Sequence, residues 1–197
     1  MFAASRGLSL VWSIVVVWGG IAFVPLVAAA GRRLLDRRPT IERAAALSLL
    51  VHCAEGILLG CGLIVAFRFM QAHPIARIPV PQAISLAVVR ITGVMAMFTV
   101  VNLAVGGLGL PFAAWQSSKV ATRWLYSRCR NPMGFYGMLC GIAGAVWLQS
   151  LQALLWMMLW LTPAWILFVK IYEERELEIR FGESYLKYKA KTPFFGF

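Results

Sequence analysis

Five of the eight acidic residues of this chain fall in one stretch, Glu173 to Tyr188, directly after its most apolar run. Carboxylates where a chain leaves a membrane need a reason, because the inner leaflet is itself negative. Glu173 and Glu174 in that position could face a cationic cofactor, or help to deprotonate an amine. The plainer alternative is an amphipathic surface helix whose charges pair one turn apart, as Glu176 and Arg180 would at i, i+4. Leu177, Phe181, Tyr185 and Tyr188 form an apolar stripe that would dock such a helix. Glu176, Glu178 and Glu183 are expected in solvent.

Two further groups carry possible chemistry. Gly107 and Gly109 end an apolar run, where bare backbone lets a ligand approach or simply terminates a helix. Arg128 and Arg130 stand beside Asn131-Pro132, a helix start. A guanidinium there could grip a carboxylate or phosphate through two parallel bonds, or face lipid headgroups. Glu55 and Arg90 lie inside apolar runs, where an isolated charge is costly, so the two are expected to pair in the outer half of the membrane, with His52 nearby. Cys53, Cys61, Cys129 and Cys140 form no C-x-x-C pair and, with His52 and His73 apart, no zinc set. They read as small buried apolar residues.

The elements that must position these groups are membrane helices. The 197 residues are 60% hydrophobic and 14% charged, with mean hydropathy +0.75, against about 25% charged in soluble domains. Five spans are expected, over about 8–30, 44–67, 82–105, 132–148 and 151–170. Gln149-Ser150 joins the last two as a tight hairpin, and Gly137, Gly141 and Gly144 allow close packing. Ala28-Ala29-Ala30 imitates a cleavage site, but the arginines that follow oppose export, so the first span is retained. Basic loops at 31–43 and 106–131, with the tail, carry fifteen Lys/Arg, against three on the opposite face. That asymmetry puts the N-terminus outside and the tail in the cytoplasm. The fold class is therefore all-α, a polytopic transmembrane bundle with an amphipathic tail helix. The net charge of +11 is split among short loops, which favours anionic headgroups over nucleic acid.

Residues 104–197 resemble the integral-membrane methyltransferases of the isoprenylcysteine carboxyl methyltransferase and phospholipid methyltransferase group. The pieces are Gly107-Leu108-Gly109-Leu110-Pro111, then Tyr126 to Arg130-Asn131-Pro132-Met133, a helical hairpin, and a tail of Glu173, Glu174, Leu177, Phe181-Gly182, Tyr185 and Tyr188. The resemblance implies an S-adenosylmethionine cofactor held by Gly107, Gly109, Arg130, Asn131, Pro132, Tyr136, Glu173 and Glu174. Arg130 and Glu174 would carry catalysis, and no metal is implied. It divides the chain into N-terminal helices, 1–105, and a cofactor-binding region, 106–197. Asn131 stands where the eukaryotic pattern has histidine. Gly134-Phe135-Tyr136-Gly137 stands where the family has tyrosine directly after Met133. On a helix Tyr136 faces about 200° away from position 134, so either the helix start is rewound or the tyrosine contact is lost.

The activity expected is methyl transfer to a lipophilic acceptor arriving from the bilayer, an isoprenylcysteine-like carboxylate or a phospholipid amine. The absence of disulfide signals fits a bacterial inner membrane. An NADPH-dependent membrane reductase is an alternative, but phosphates favour a basic pocket over a doubly acidic one. A catalytically degenerate scaffold is the third reading, and it predicts no stabilisation by any cofactor.

Overall fold

The computed structural model describes residues 20–72, 76–107, 109 and 117–196. The start of the first expected span, His73, and Leu108, Leu110 and Pro111 lie outside the described residues. Among those described, the elements are helices: α1 (Gly20–Arg37), α2 (Ile41–Ala72), α3 (Gln82–Gly107), a 3-10 turn (Trp124–Ser127), α4 (Pro132–Trp147), α5 (Leu151–Phe181) and α6 (Glu183–Lys191). Three of them, α2, α3 and α5, are long and apolar enough to cross a membrane, and α4 is a shorter apolar helix. Leu50, Ile57, Ile91 and Val94 are all more than 60% exposed. An aliphatic surface of that kind fits a lipid environment rather than water.

Helix boundaries move from the sequence expectation in an instructive way. α1 continues through Arg32, Arg33 and Arg37, so the expected basic loop 31–43 shrinks to the residues between Arg37 and Ile41. α2 has 32 residues, about 48 Å of helix against a hydrocarbon core of about 30 Å. Its surplus lies at the N-terminal end, where it packs on the last turns of α5. α5 is likewise continuous for 31 residues and carries the first part of the expected tail helix, to Phe181, as its own extension. Two π segments interrupt it, Met157–Leu161 and Val169–Glu173. The first has a local cause, since Pro163 offers no N–H to the carbonyl one turn back.

The core joins α1, α2 and α5 through Val24, Ala28, Leu35, Val51, Phe168, Val169 and Tyr172. Gly31 makes this possible, because a Cβ there would come within 2.8 Å of the Tyr172 ring. α3 packs along α4. On α4, Gly141 faces Met157 closely, whereas Gly137 and Gly144 meet nothing within 4 Å, so only one of the three expected packing glycines is needed for contact. The cysteines are free, and only Cys129 is fully buried; Cys53 and Cys61 are exposed, contrary to the expectation of four buried ones. Apolar helices in a membrane present such residues outward without cost.

The far ends of the helices are tied together. Ser150 caps α5 by accepting from the Ala153 N–H, and the Gln149 side chain donates to the Val80 carbonyl at 3.1 Å. At the other end, the tail is two helices rather than one. Gly182 has φ +53° and ψ −129°, a conformation that side chains rarely tolerate. It turns α6 back so that Tyr185 and Tyr188 become buried. Replacing Gly182 with alanine should destabilise the docked tail by about 1–3 kcal/mol, seen as faster proteolysis between α5 and α6 with the membrane helices still intact.

Candidate active site

Helix α5 leaves its apolar part at Tyr172 and presents a polar turn from Glu173 to Arg180, and most of its charges are matched by partners from distant segments. Glu174 lies between two cations, 2.9 Å from Arg130 Nη2 and 2.7 Å from Lys189 Nζ. The Arg130 contact is a charge contact rather than an aligned hydrogen bond at that oxygen. Lys189 also reaches Glu178 at 2.9 Å. Burial works against the Lys189 ammonium, yet the two carboxylates hold its pKa above the ordinary lysine value. Glu176 is 2% exposed and bonds Arg180 at 2.7 Å. The expectation that Glu176 and Glu178 are solvated therefore fails, because each is a counter-charge inside the fold. Glu183, exposed and paired with Lys187 on the surface, behaves as expected.

The Arg-Asn-Pro loop is held against this turn by the backbone. Arg130 donates from its N–H to the Pro193 carbonyl at 3.0 Å and from Nη1 to the Lys189 carbonyl at 2.9 Å. The Tyr188 hydroxyl donates to the Tyr126 carbonyl at 2.7 Å. Phe194 lies under Arg130, and Phe195 packs against both Phe135 and Trp165. Sequence reasoning missed Lys189, Trp165 and this aromatic tail. Only the Gly182 reversal brings Lys189 back to a glutamate fifteen positions earlier.

The glycine segment joins through Arg180, which donates to the Ser117 carbonyl at 2.6 Å. A Cβ on Gly109 would meet the Ser117 nitrogen at 2.6 Å and its Cα at 2.7 Å; on Gly107 it would meet Leu103 and Ser117 at 3.2 Å. The space beside Gly109 thus accommodates the chain's own backbone. Gly107, Gly109, Arg130, Asn131, Pro132, Glu173 and Glu174 all belong to segments that converge on the polar turn. Tyr136 sits lower on α4, edge-on to Phe135. α4 is regular from Pro132 onward, so its start is not rewound. Gly134 is bare because the Trp165 indole occupies the space of its missing side chain.

Several buried polar atoms here lack partners: Arg130 Nε, Asn131 Nδ2 and the Tyr172 hydroxyl. Asn131 does not cap α4 with its side chain, so the first N–H groups of that helix add to the donor set. Glu173 forms no hydrogen bond or ion pair among the described residues. Unmatched donors on a loop held to the polar turn, and an unpaired carboxylate on that turn, fit a zwitterionic ligand group such as an α-amino acid moiety. No cluster of potential metal ligands exists among the described residues.

The Glu55–Arg90 pair expected from the sequence is not formed. Arg90 is exposed on α3, while Glu55 is 2% exposed on α2 and has no ion pair among the described residues. The reason is the surplus length of α2. His52, one turn before Glu55, packs its ring on Phe168 and Tyr172 at 5.6 and 6.2 Å. Glu55 therefore lies one turn from the level of Tyr172, where the polar turn of α5 begins.

A family model described as phospholipid methyltransferase matches residues 81–184. No curated protein and no solved structure matches the chain. The matched stretch runs from the start of α3 through the polar turn of α5 to the first residues of α6. Changing Glu174 to glutamine would leave Arg130 and Lys189 facing each other with less compensation. Breaking a buried pair in this way should cost about 3 kcal/mol, measured as unfolding free energy in detergent micelles.

Proposed function

The chain belongs to the phospholipid methyltransferase family, and we propose that it transfers a methyl group from S-adenosylmethionine to a lipophilic acceptor at the membrane surface. The observation that carries this reading is the set of unmatched buried donors, Arg130 Nε and Asn131 Nδ2, on the loop that Glu174 holds at 2.9 Å, with the neighbouring Glu173 in no ion pair among the described residues. When bound, the cofactor supplies an electrophilic methyl carbon on a sulfonium. The donors of Arg130, Asn131 and the α4 N-terminus would hold its carboxylate, and Glu173 its ammonium. Glu174 would act through Arg130, fixing the guanidinium with the help of Lys189. Pro132 sets the start of α4; Gly107 and Gly109 set the close approach of the Ser117 segment; Tyr136 and Phe135 supply an apolar wall.

The acceptor would arrive from the lipid side, as an isoprenylcysteine-like carboxylate or a phospholipid amine. A carboxylate needs no base, whereas an amine must first lose a proton, which Glu173 can accept. The protein would contribute alignment and exclusion of water. We place five spans in the bilayer, with α4 and α5 as a hairpin and the C-terminus in the cytoplasm. This division assigns 1–105 to the membrane helices and 106–197 to the cofactor region. The basic residues near α1 and the tail support that orientation. A doubly acidic site speaks against a phosphate-rich nicotinamide cofactor.

The test is transfer of labelled methyl from S-adenosylmethionine into lipid extracts, using protein in liposomes. Arg130→Ala and Glu173→Gln should each lower kcat/KM by about a hundredfold. Full activity in both variants would sink the site assignment.

A further inference from the structure

Lys170 is the last cation before the polar turn of α5, and nothing described so far uses it. Its side chain is exposed, and it ends a row of exposed residues on α5, Leu159, Pro163 and Leu167. Steps of three and four residues keep such positions near one face of a helix. An apolar row of this kind suits lipid chains, and here it closes on a positive charge. The Lys170 ammonium lies 5.1 Å from the centroid of the Phe194 ring. The Arg130 guanidinium lies 5.9 Å from the same ring. Phe194 thus ties the end of the lipid-facing row to the edge of the candidate site.

The two cations differ in one respect. Arg130 is neutralised by Glu174, whereas Lys170 forms no ion pair among the described residues. Glu174, four positions on, is already held by Arg130 and Lys189. Glu173, three positions on, would be a neighbour of Lys170 in an α-helix. Both residues fall in the π segment Val169–Glu173, whose wider turn carries Glu173 further round the axis. One turn of α5 therefore offers a cation and an anion that do not neutralise each other. They are at most about 4.5 Å apart along the helix axis.

A ligand that complements this helix carries apolar chains, then an anion, then an amine a few bonds further on. An aminoalkyl phosphodiester lipid has that order. An isoprenylcysteine-like carboxylate does not, since its one anion is the group to be methylated and it would leave Glu173 unmatched. We propose that Lys170 is an acceptor-specificity residue, which holds the phosphodiester of a phospholipid and so places the amine of that lipid toward Glu173. The inference rests on the methyl-transfer reading above and narrows its acceptor to one of the two classes named there. It gives the π segment a purpose, because a regular helix would let Lys170 and Glu173 quench each other.

The test is transfer of labelled methyl by the full chain in detergent micelles. The micelles carry either phosphatidylethanolamine or oleylamine, a long-chain amine without phosphate. Wild type should favour phosphatidylethanolamine. Lys170→Met should raise the KM for that lipid about tenfold, with the KM for S-adenosylmethionine holding, so that the preference over oleylamine collapses. Lys170→Arg, which keeps the charge, should keep the preference. Native mass spectrometry should show phosphatidylethanolamine retained on wild type and lost from Lys170→Met. A Lys170→Met variant with the wild-type preference, or with both acceptors lowered in parallel, overturns the inference. Equal use of water-soluble glycerophosphoethanolamine would overturn the lipid as the source of the phosphodiester. Transfer to phosphate-free acceptors alone overturns the inference and leaves the proposed function standing. Failure of wild type to methylate any acceptor would instead overturn the proposed function itself.

Discussion

The structure depends on one constraint: a charge at the edge of an apolar medium must find an opposite charge. The polar turn of α5 meets it by recruiting partners from far along the chain. Arg130 comes from the loop before α4, Lys189 from α6, and Asp36 from the end of α1, bound to Arg175 at 2.7 Å. Arg180 pairs with Glu176 and passes the connection on to Ser117. Satisfying these charges gathers the glycine segment, the Arg-Asn-Pro loop and the tail at one place. The site is assembled by electrostatic necessity, and the packing of apolar helices supplies the frame.

Such ion pairs add little net stability compared with apolar replacements, but breaking one is costly. Their contribution is therefore selectivity among arrangements. A slip of the loop or of α6 by one turn would strand Arg130 or Lys189 beside Glu174 without its partner. The aromatic end of the chain reinforces this. Phe194 covers Arg130, and the Cys129 thiol donates to the Phe194 carbonyl at 3.3 Å. The last residues thereby shield the charge cluster from water and strengthen it.

Much of this was legible in the sequence. Apolar runs gave α2, α3 and α5, and the order of the glycine, arginine and glutamate motifs gave the family. Gly182 was visible only as part of a motif; its role as a reversal depends on a backbone conformation that no spacing reveals. Glu55 and Arg90 stand out in the sequence, yet a pair between them requires helices cut to bilayer thickness, and α2 has 32 residues. The extra turns of α2 carry Glu55 to another level, and length beyond the bilayer leaves no local mark in the sequence. Trp165 at Gly134 was equally hidden, because it is a contact between two helices whose rotation depends on irregular turns. The Glu176–Arg180 pair was not legible as buried, because an i, i+4 ion pair looks the same from sequence whether it faces solvent or the interior.

Those irregular turns have a wider bearing. In a regular helix each residue advances about 100° around the axis, so the angular phase of Glu173 would follow from simple counting from Leu151. The π segments at Met157–Leu161 and Val169–Glu173 break that count twice. The direction in which the acids point is consequently written partly in residues inside the bilayer, among them Pro163. A side chain several turns before the acids can thus set where the whole acidic turn points. Variation along the apolar part of α5 becomes a means of re-aiming the charged groups at its end.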